Sequence, residues 1–260
     1  MDIAVDLMGK LGIDIFPTSS KEMLRTGNPE KNPWYKLGGT LGDAVRAGVE
    51  EASQANQVLL MNGYKLKPHG SAAQVELQNA LLELNTRTVI VHRKNTLDTL
   101  VCEVRDCFED DLPRGYPVDQ NGKRDDTCFD RRRDTGLRTK AFIYPEHLIE
   151  NLEYAKGYPE EMLTATTALG FEGRAIVYFE DLTSHEYSAE NLDRSTDAWI
   201  EFLSSLGVSA DQQVVYGILK EAVGTYHAPE PHSETIYNLG SIQSMLVSYL
   251  EGSSLLRLQG

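Results

Sequence analysis

One stretch near the middle of the chain concentrates groups that could do chemistry. It reads Val89-Ile90-Val91-His92-Arg93-Lys94-Asn95-Thr96-Leu97-Asp98, and runs on through Cys102 to Arg105. A short apolar run of this kind suits a buried parallel strand. The segment that follows reads as a helix starting near Asn95 or Thr96. Free backbone N–H groups at a helix start, with Arg93 and Lys94 beside them, would converge where an anion could sit. The same residues also fit a capped helix with two solvated cations. Other groups are less pointed. Arg131-Arg132-Arg133 could clamp an anion, although a charge run is usually a solvated face. His227 and His232 flank Ala-Pro-Glu-Pro with no helical register, and two histidines without a third ligand do not make a metal site. Cys107 and Cys128 could pair, closing a loop worth about 3 kcal/mol, or stay as thiols in a reducing compartment.

The elements that must hold these groups follow from composition and patterning. The chain has 260 residues, with 41% hydrophobic and 25% charged, ordinary globular usage. Its length suits one large domain or two small ones; a single domain spanning 1–260 is the reading adopted. A net charge of −14 repels nucleic acid and anionic membrane, so no nucleic-acid partner is expected. No apolar stretch reaches the roughly 18 residues a membrane helix needs. No signal-peptide core stands at the N-terminus. A soluble protein is expected, with the cytoplasm favoured.

Helix-like and strand-like segments alternate. Residues 2–11 carry the stripe Ile3, Leu7, Met8 and Leu11. Leu41, Val45 and Val49 recur every four residues in a helix near 39–54. Gln57 to Lys67 reads as a strand broken at Asn62-Gly63. Ser71 and Gln74 form a capping box for a helix reaching about Leu84. Thr88–His92 is a buried strand, and a helix runs from Thr96 to about Phe108. Residues 109–138 are polar, hold two prolines and lack periodicity, so they read as a surface insertion. Strands follow near 139–144 and 174–179, with Pro145 at a helix N1 position. Helices follow near 190–206, 210–222 and 239–251. This alternation implies an α/β fold with a parallel sheet covered by helices on both faces. In such folds, ligands sit beyond the carboxyl ends of the strands.

Several segments, in order, resemble the PAPS-dependent sulfotransferases, especially those similar to the bacterial trehalose-type enzymes. His92-Arg93-Lys94-Asn95 through Cys102 looks like their 3′-phosphate-binding segment. Arg93 falls on the phosphate-binding arginine, and Cys102 stands where a serine is usual, as a weaker donor. The stretch from Leu7 through Leu24, then Asn32-Pro33-Trp34, is similar to the region after their donor loop. Gly63-Tyr64-Lys65-Leu66 looks like their next strand, and Arg174 through Leu182 like their V-x-Y-E-D-L strand. Ser233 through Ser254 resembles the closing helix with its I-x-N motif.

The resemblance implies a three-layer, P-loop nucleotide-binding architecture. It implies sulfuryl transfer from PAPS to a hydroxyl or amine of a small molecule or carbohydrate, without a metal. Glu22 would be the general base and Lys65 would face the acceptor or the sulfuryl oxygens. Arg93 and Cys102 would hold the donor, and the segment from His227 to His232 would cover its adenine. Glu22 also fits an ordinary first-turn glutamate, and Lys65 a surface lysine. A homodimer is left open.

The family's 5′-phosphosulfate loop would end just before the first helix, and Met1 aligns inside it. The chain as numbered is therefore expected to bind PAPS poorly and turn over little. A non-catalytic binding protein of the same fold is the main rival. A nucleotide kinase is disfavoured because no G-x-x-x-x-G-K-S/T occurs.

Overall fold

A computed structural model describes residues 2–15, 40–59, 72–105, 114–119, 121–124, 139–186, 188–224, 230–247, 249 and 255–256. In chain order its elements are α1 (Asp2–Lys10), α2 (Leu41–Gln54), α3 (Ala72–Glu83), β1 (Arg87–His92), α4 (Thr96–Arg105), β2 (Gly115–Val118) and β3 (Lys140–Ile143). Next come α5 (Leu148–Ala168), β4 (Glu172–Tyr178), α6 (Phe179–Thr183), α7 (Leu192–Ser205), α8 (Gln212–Glu221), α9 (His232–Thr235) and α10 (Leu239–Leu246). The chain divides into two compact units, Met1–His92 with Glu160–Tyr226, and Arg93–Pro159 with His227–Gly260. The division falls inside α5, at Pro159.

The first unit is built on β1 and β4, which pair in parallel with Ile90 opposite Ile176 and His92 opposite Tyr178. α7 covers this pair. Its Leu192, Ser195, Thr196, Trp199, Phe202 and Leu203 are buried and recur every three or four residues, as one face of a helix must. Trp199 packs edge-on to Phe202, with ring centroids 5.2 Å apart. Leu7 and Met8 of α1 and Val215 and Leu219 of α8 complete this core. α2 opens with a full capping box from Thr40 and Asp43, so its start is set one turn before Val45, the helix's most deeply buried side chain. The strand Thr88–His92 is less buried than its apolar run predicts, since Val91 is 48% exposed.

The second unit packs Leu97, Leu100, Val101 and Val104 of α4 against Ala141 and Ile143 of β3, with Leu148, Leu152, Ile236 and Ile242 around them. Two strands pair here in antiparallel fashion, with Tyr116 opposite Phe142. This corrects the sequence reading in one place: β2 lies inside 109–138, which patterning makes a plain insertion. Four residues that include Gly115 and Pro117 are too short and too rich in turn formers to show a period of two. What holds the strand is contact between rings. Tyr116 stacks on Phe142 at 4.8 Å, and the Arg124 guanidinium lies over the Tyr116 ring at 5.1 Å.

Asn238 extends β3 with a side chain instead of a strand. Its amide donates to the Ile143 carbonyl at 2.7 Å and accepts from the Ile143 N–H at 3.1 Å. Ile236, in the same I-x-N triplet, is 1% exposed. The mixed α/β character agrees with the sequence reading, and the parallel pairing it implies occurs between β1 and β4.

Candidate functional site

The chain leaves β1 at His92 and enters α4 at Thr96, with Arg93, Lys94 and Asn95 between them. Arg93 is half-buried and Lys94 exposed. Asn95 is the cap of α4. Its side-chain oxygen accepts from the N–H groups of Leu97 at 3.1 Å and Asp98 at 3.2 Å. Its amide nitrogen donates to the Leu255 carbonyl at 3.0 Å. This corrects the expectation of free backbone donors at the helix start for two of them, which a polar side chain just upstream satisfies internally. An anion at this junction would be held by the Arg93 and Lys94 side chains rather than by the helix's own N–H groups.

Asp98 stands in the first turn of α4, where it could repel an anion. It is buried, and its Oδ1 lies 2.8 Å from Nε2 of His232, which is 0% exposed. The carboxylate therefore serves a contact inside the fold. His232, expected at the end of a loop over the donor, is sealed in the second unit at the start of α9. The missed signal is the aspartate, four residues before Cys102. Nothing in a 134-residue separation links it to a histidine. Cys102, one turn beyond Asp98, is a half-buried thiol.

Glu22 and Lys65 lie outside the described residues, as do Arg131, Arg132, Arg133, His227, Cys107 and Cys128. Among the described residues, no group of three or more His, Cys, Asp or Glu is placed to hold a metal. No described helix is long and apolar enough to cross a membrane.

Sequence reasoning also missed a buried polar knot in the first unit. It follows the carboxyl end of β4, where parallel strands place ligands. Ser195 Oγ on α7 donates to the Asp181 carbonyl at 2.7 Å, lies 2.7 Å from Ser184 Oγ and accepts from the His185 N–H at 3.0 Å. Trp199 Nε1 donates to the Leu182 carbonyl at 2.9 Å. His185 is 1% exposed and Glu186 5%. Burial lowers the imidazole's proton affinity below its ordinary value and pushes the Glu186 carboxyl up. Only the E-D-L-x-S-H-E order hints at this knot in sequence. Its partner Ser195 comes from a helix face that looks merely amphipathic.

No family model, no curated protein and no solved structure matches the chain.

Proposed function

We propose that this protein is a PAPS-dependent sulfotransferase with a three-layer, P-loop nucleotide-binding architecture, acting on a hydroxyl or amine of a small molecule or carbohydrate. The observation that carries the reading is the strand-to-helix junction. β1 runs into Arg93 and Lys94 and then into a capped helix whose first-turn carboxylate, Asp98, is occupied by His232. These residues fit a phosphate gripped by side chains. A guanidinium makes paired bonds to phosphate oxygens, so Arg93 is assigned the 3′-phosphate of the donor, with Lys94 as a second cation. PAPS, when bound, supplies the activated sulfuryl group. Glu22 is assigned the proton of the attacking hydroxyl or amine, Lys65 the neutralisation of charge on the acceptor side, and Cys102 a weak contact to the donor.

A second reading is favoured by one observation. Asn95 consumes two helix N–H groups that could otherwise bind phosphate. A non-catalytic descendant that keeps the fold for binding has no need of those donors.

Calorimetry with adenosine 3′,5′-bisphosphate tests the assignment, with adenosine 5′-phosphate as the control lacking the 3′-group. Binding of the bisphosphate should weaken by about 1.5–3 kcal/mol in Arg93→Ala, the range for charge-assisted hydrogen bonds, while the control changes little. Equal affinities for the two nucleotides, or an unchanged Arg93→Ala, would remove the donor site from this junction. With binding intact, Glu22→Gln in an active form that carries the 5′-phosphosulfate loop should lower sulfuryl transfer about 10²–10⁴-fold. Binding without transfer to any acceptor, in a form that carries the 5′-phosphosulfate loop, would select the second reading.

A further inference from the structure

The first unit holds a cavity of about 490 Å³ at the amino end of β1, lined by residues that include Val49, Ala52, Leu84, Arg87, Leu206 and Val208. Arg87 opens β1 and His92 closes it, so the cavity stands at the opposite end of the strand from its carboxyl end, roughly 17 Å along it. It is a separate place from the site proposed above.

Three helices end on this cavity. Two places past the ends of α2, α3 and α7 stand Asn56, Asn85 and Gly207, and each of these residues adopts positive φ, at 55°, 51° and 79°. Each end is closed in the same way. Gln57 N–H donates to Ala52 O, Thr86 N–H to Leu81 O, and Val208 N–H to Leu203 O, the six-to-one bond that terminates a helix in a left-handed residue. Asn56, Asn85, Leu206 and Val208 all line the cavity. The negative ends of three helix dipoles are thus gathered around one space whose lining mixes apolar side chains with the polar Ser53, Asn56, Gln57, Asn85, Thr86 and Arg87.

A lysine, arginine or histidine in the last turn stabilises a helix end of this kind. None of these three does. α2 closes on Glu50 and Glu51 instead. At α7 the missing cation is supplied from elsewhere. The Arg87 guanidinium lies so close to Gly207 that a Cβ there would stand 2.9 Å from its Cζ. The fold has therefore already drawn one cation to one of the three ends. α2 and α3, packed side by side, present two more ends to the same cavity, and the chain as a whole carries −14.

We propose that this cavity binds a small organic cation, a primary or quaternary amine carried on an apolar body. The walls take the apolar body, as the alanine, valine and leucine side chains of the lining suit. The ammonium sits toward the ends of α2 and α3, with the Asn56 and Asn85 side-chain carbonyls available to it. The site makes no use of the donor chemistry at Arg93.

The test is a probe series of one shape and three charges: 2-phenylethylamine, 2-phenylethanol and 3-phenylpropionate, followed by the backbone amide signals of Asn56 and Asn85 in the full chain. The amine should shift these signals and bind about tenfold more tightly than the alcohol, given that each helix end favours a cation by a few tenths to about 1 kcal/mol. The carboxylate should bind least. Arg87→Gln removes a competing cation and should tighten amine binding about two- to fivefold. Val49→Trp fills the cavity and should abolish binding; Val208→Trp, from the other wall, does the same should the first variant fold poorly. Equal binding of the three probes overturns the charge preference. Absence of shifts at Asn56 and Asn85, or shifts that survive both tryptophan variants, overturns the site.

Discussion

Nε2 of His232 and Oδ1 of Asp98 lie 2.8 Å apart, joining the start of α9 to the first turn of α4 across 134 residues of sequence. Both side chains are buried. Removing either partner leaves the other polar group sealed without its bond, a cost of about 1–3 kcal/mol. Asp98→Ala and His232→Ala should each lower unfolding stability by at least that amount in urea. The double variant should cost clearly less than the two single losses added together. Additive losses would mean that the two side chains act independently.

The polar knot after β4 gives a pH signature. His185 is held below its ordinary value of 6.5 by burial. Its contribution to stability is therefore complete above about pH 6.5 and is lost as pH falls through the folded-state value. Glu186 is pushed above 4.5 by burial, so its contribution is present below that value and is lost as pH rises through its own folded-state value. His185→Gln should flatten the decline in urea midpoint on the acid side of pH 6.5. Glu186→Gln should raise the midpoint at neutral pH, with the gain shrinking toward pH 4. A His185→Gln profile parallel to the wild type would exclude the imidazole as the titrating group.

Gly115 opens β2 with φ of 145°, and a Cβ added there would collide with the carbonyl oxygen of Phe142 on the partner strand. Backbone must shift to accept any side chain. Gly115→Ala should cost about 1–3 kcal/mol, the range for overpacking a closed contact. It should also weaken the stacking of Tyr116 on Phe142, seen as loss of near-ultraviolet circular dichroism. Gly157 on α5, where an added Cβ meets nothing within 4 Å, is the matched control: Gly157→Ala should stabilise slightly by helix propensity.

What could be read in advance depended on how local the cause was. The inward face of α2 is announced by Leu41 and Val45, within two turns, whereas its Thr40–Asp43 cap departs from the usual Ser/Thr-x-x-Glu/Gln box and is not. β1 and β4 are legible because Val89–Val91 and Ala175–Val177 are continuous apolar runs. β2 was hidden because its stability comes from Phe142 and Arg124 rather than from its own four residues. At the junction, the sequence places Arg93 before a helix, but Asn95 reads equally as a bystander or as the cap it proves to be. The partners of Asp98 and Ser195 come from distant segments, and no periodicity encodes a meeting of that kind. The cavity at Arg87 was equally invisible, since it arises from three helix ends contributed by separate stretches.

The pairing of Ile90 with Ile176 carries a consequence for how the chain is made. Eighty-six residues separate the two, and closing a loop of that length costs roughly 4 kcal/mol of chain entropy before any contact returns it. Both compact units are assembled from two sequence segments. A growing chain that has emerged only as far as Pro159 therefore holds β1 without its partner strand and α4 without Ile236, Ile242 and Leu246. Synthesis must pass Tyr178 before the first sheet forms, and must reach Leu246 before the second core closes. The nascent protein thus spends much of its translation with an unpaired parallel strand, the kind of edge that recruits chaperones or neighbouring chains. Slow, non-local folding follows from this interleaving, and ribosome-bound intermediates stalled near residue 160 should be the most prone to aggregate.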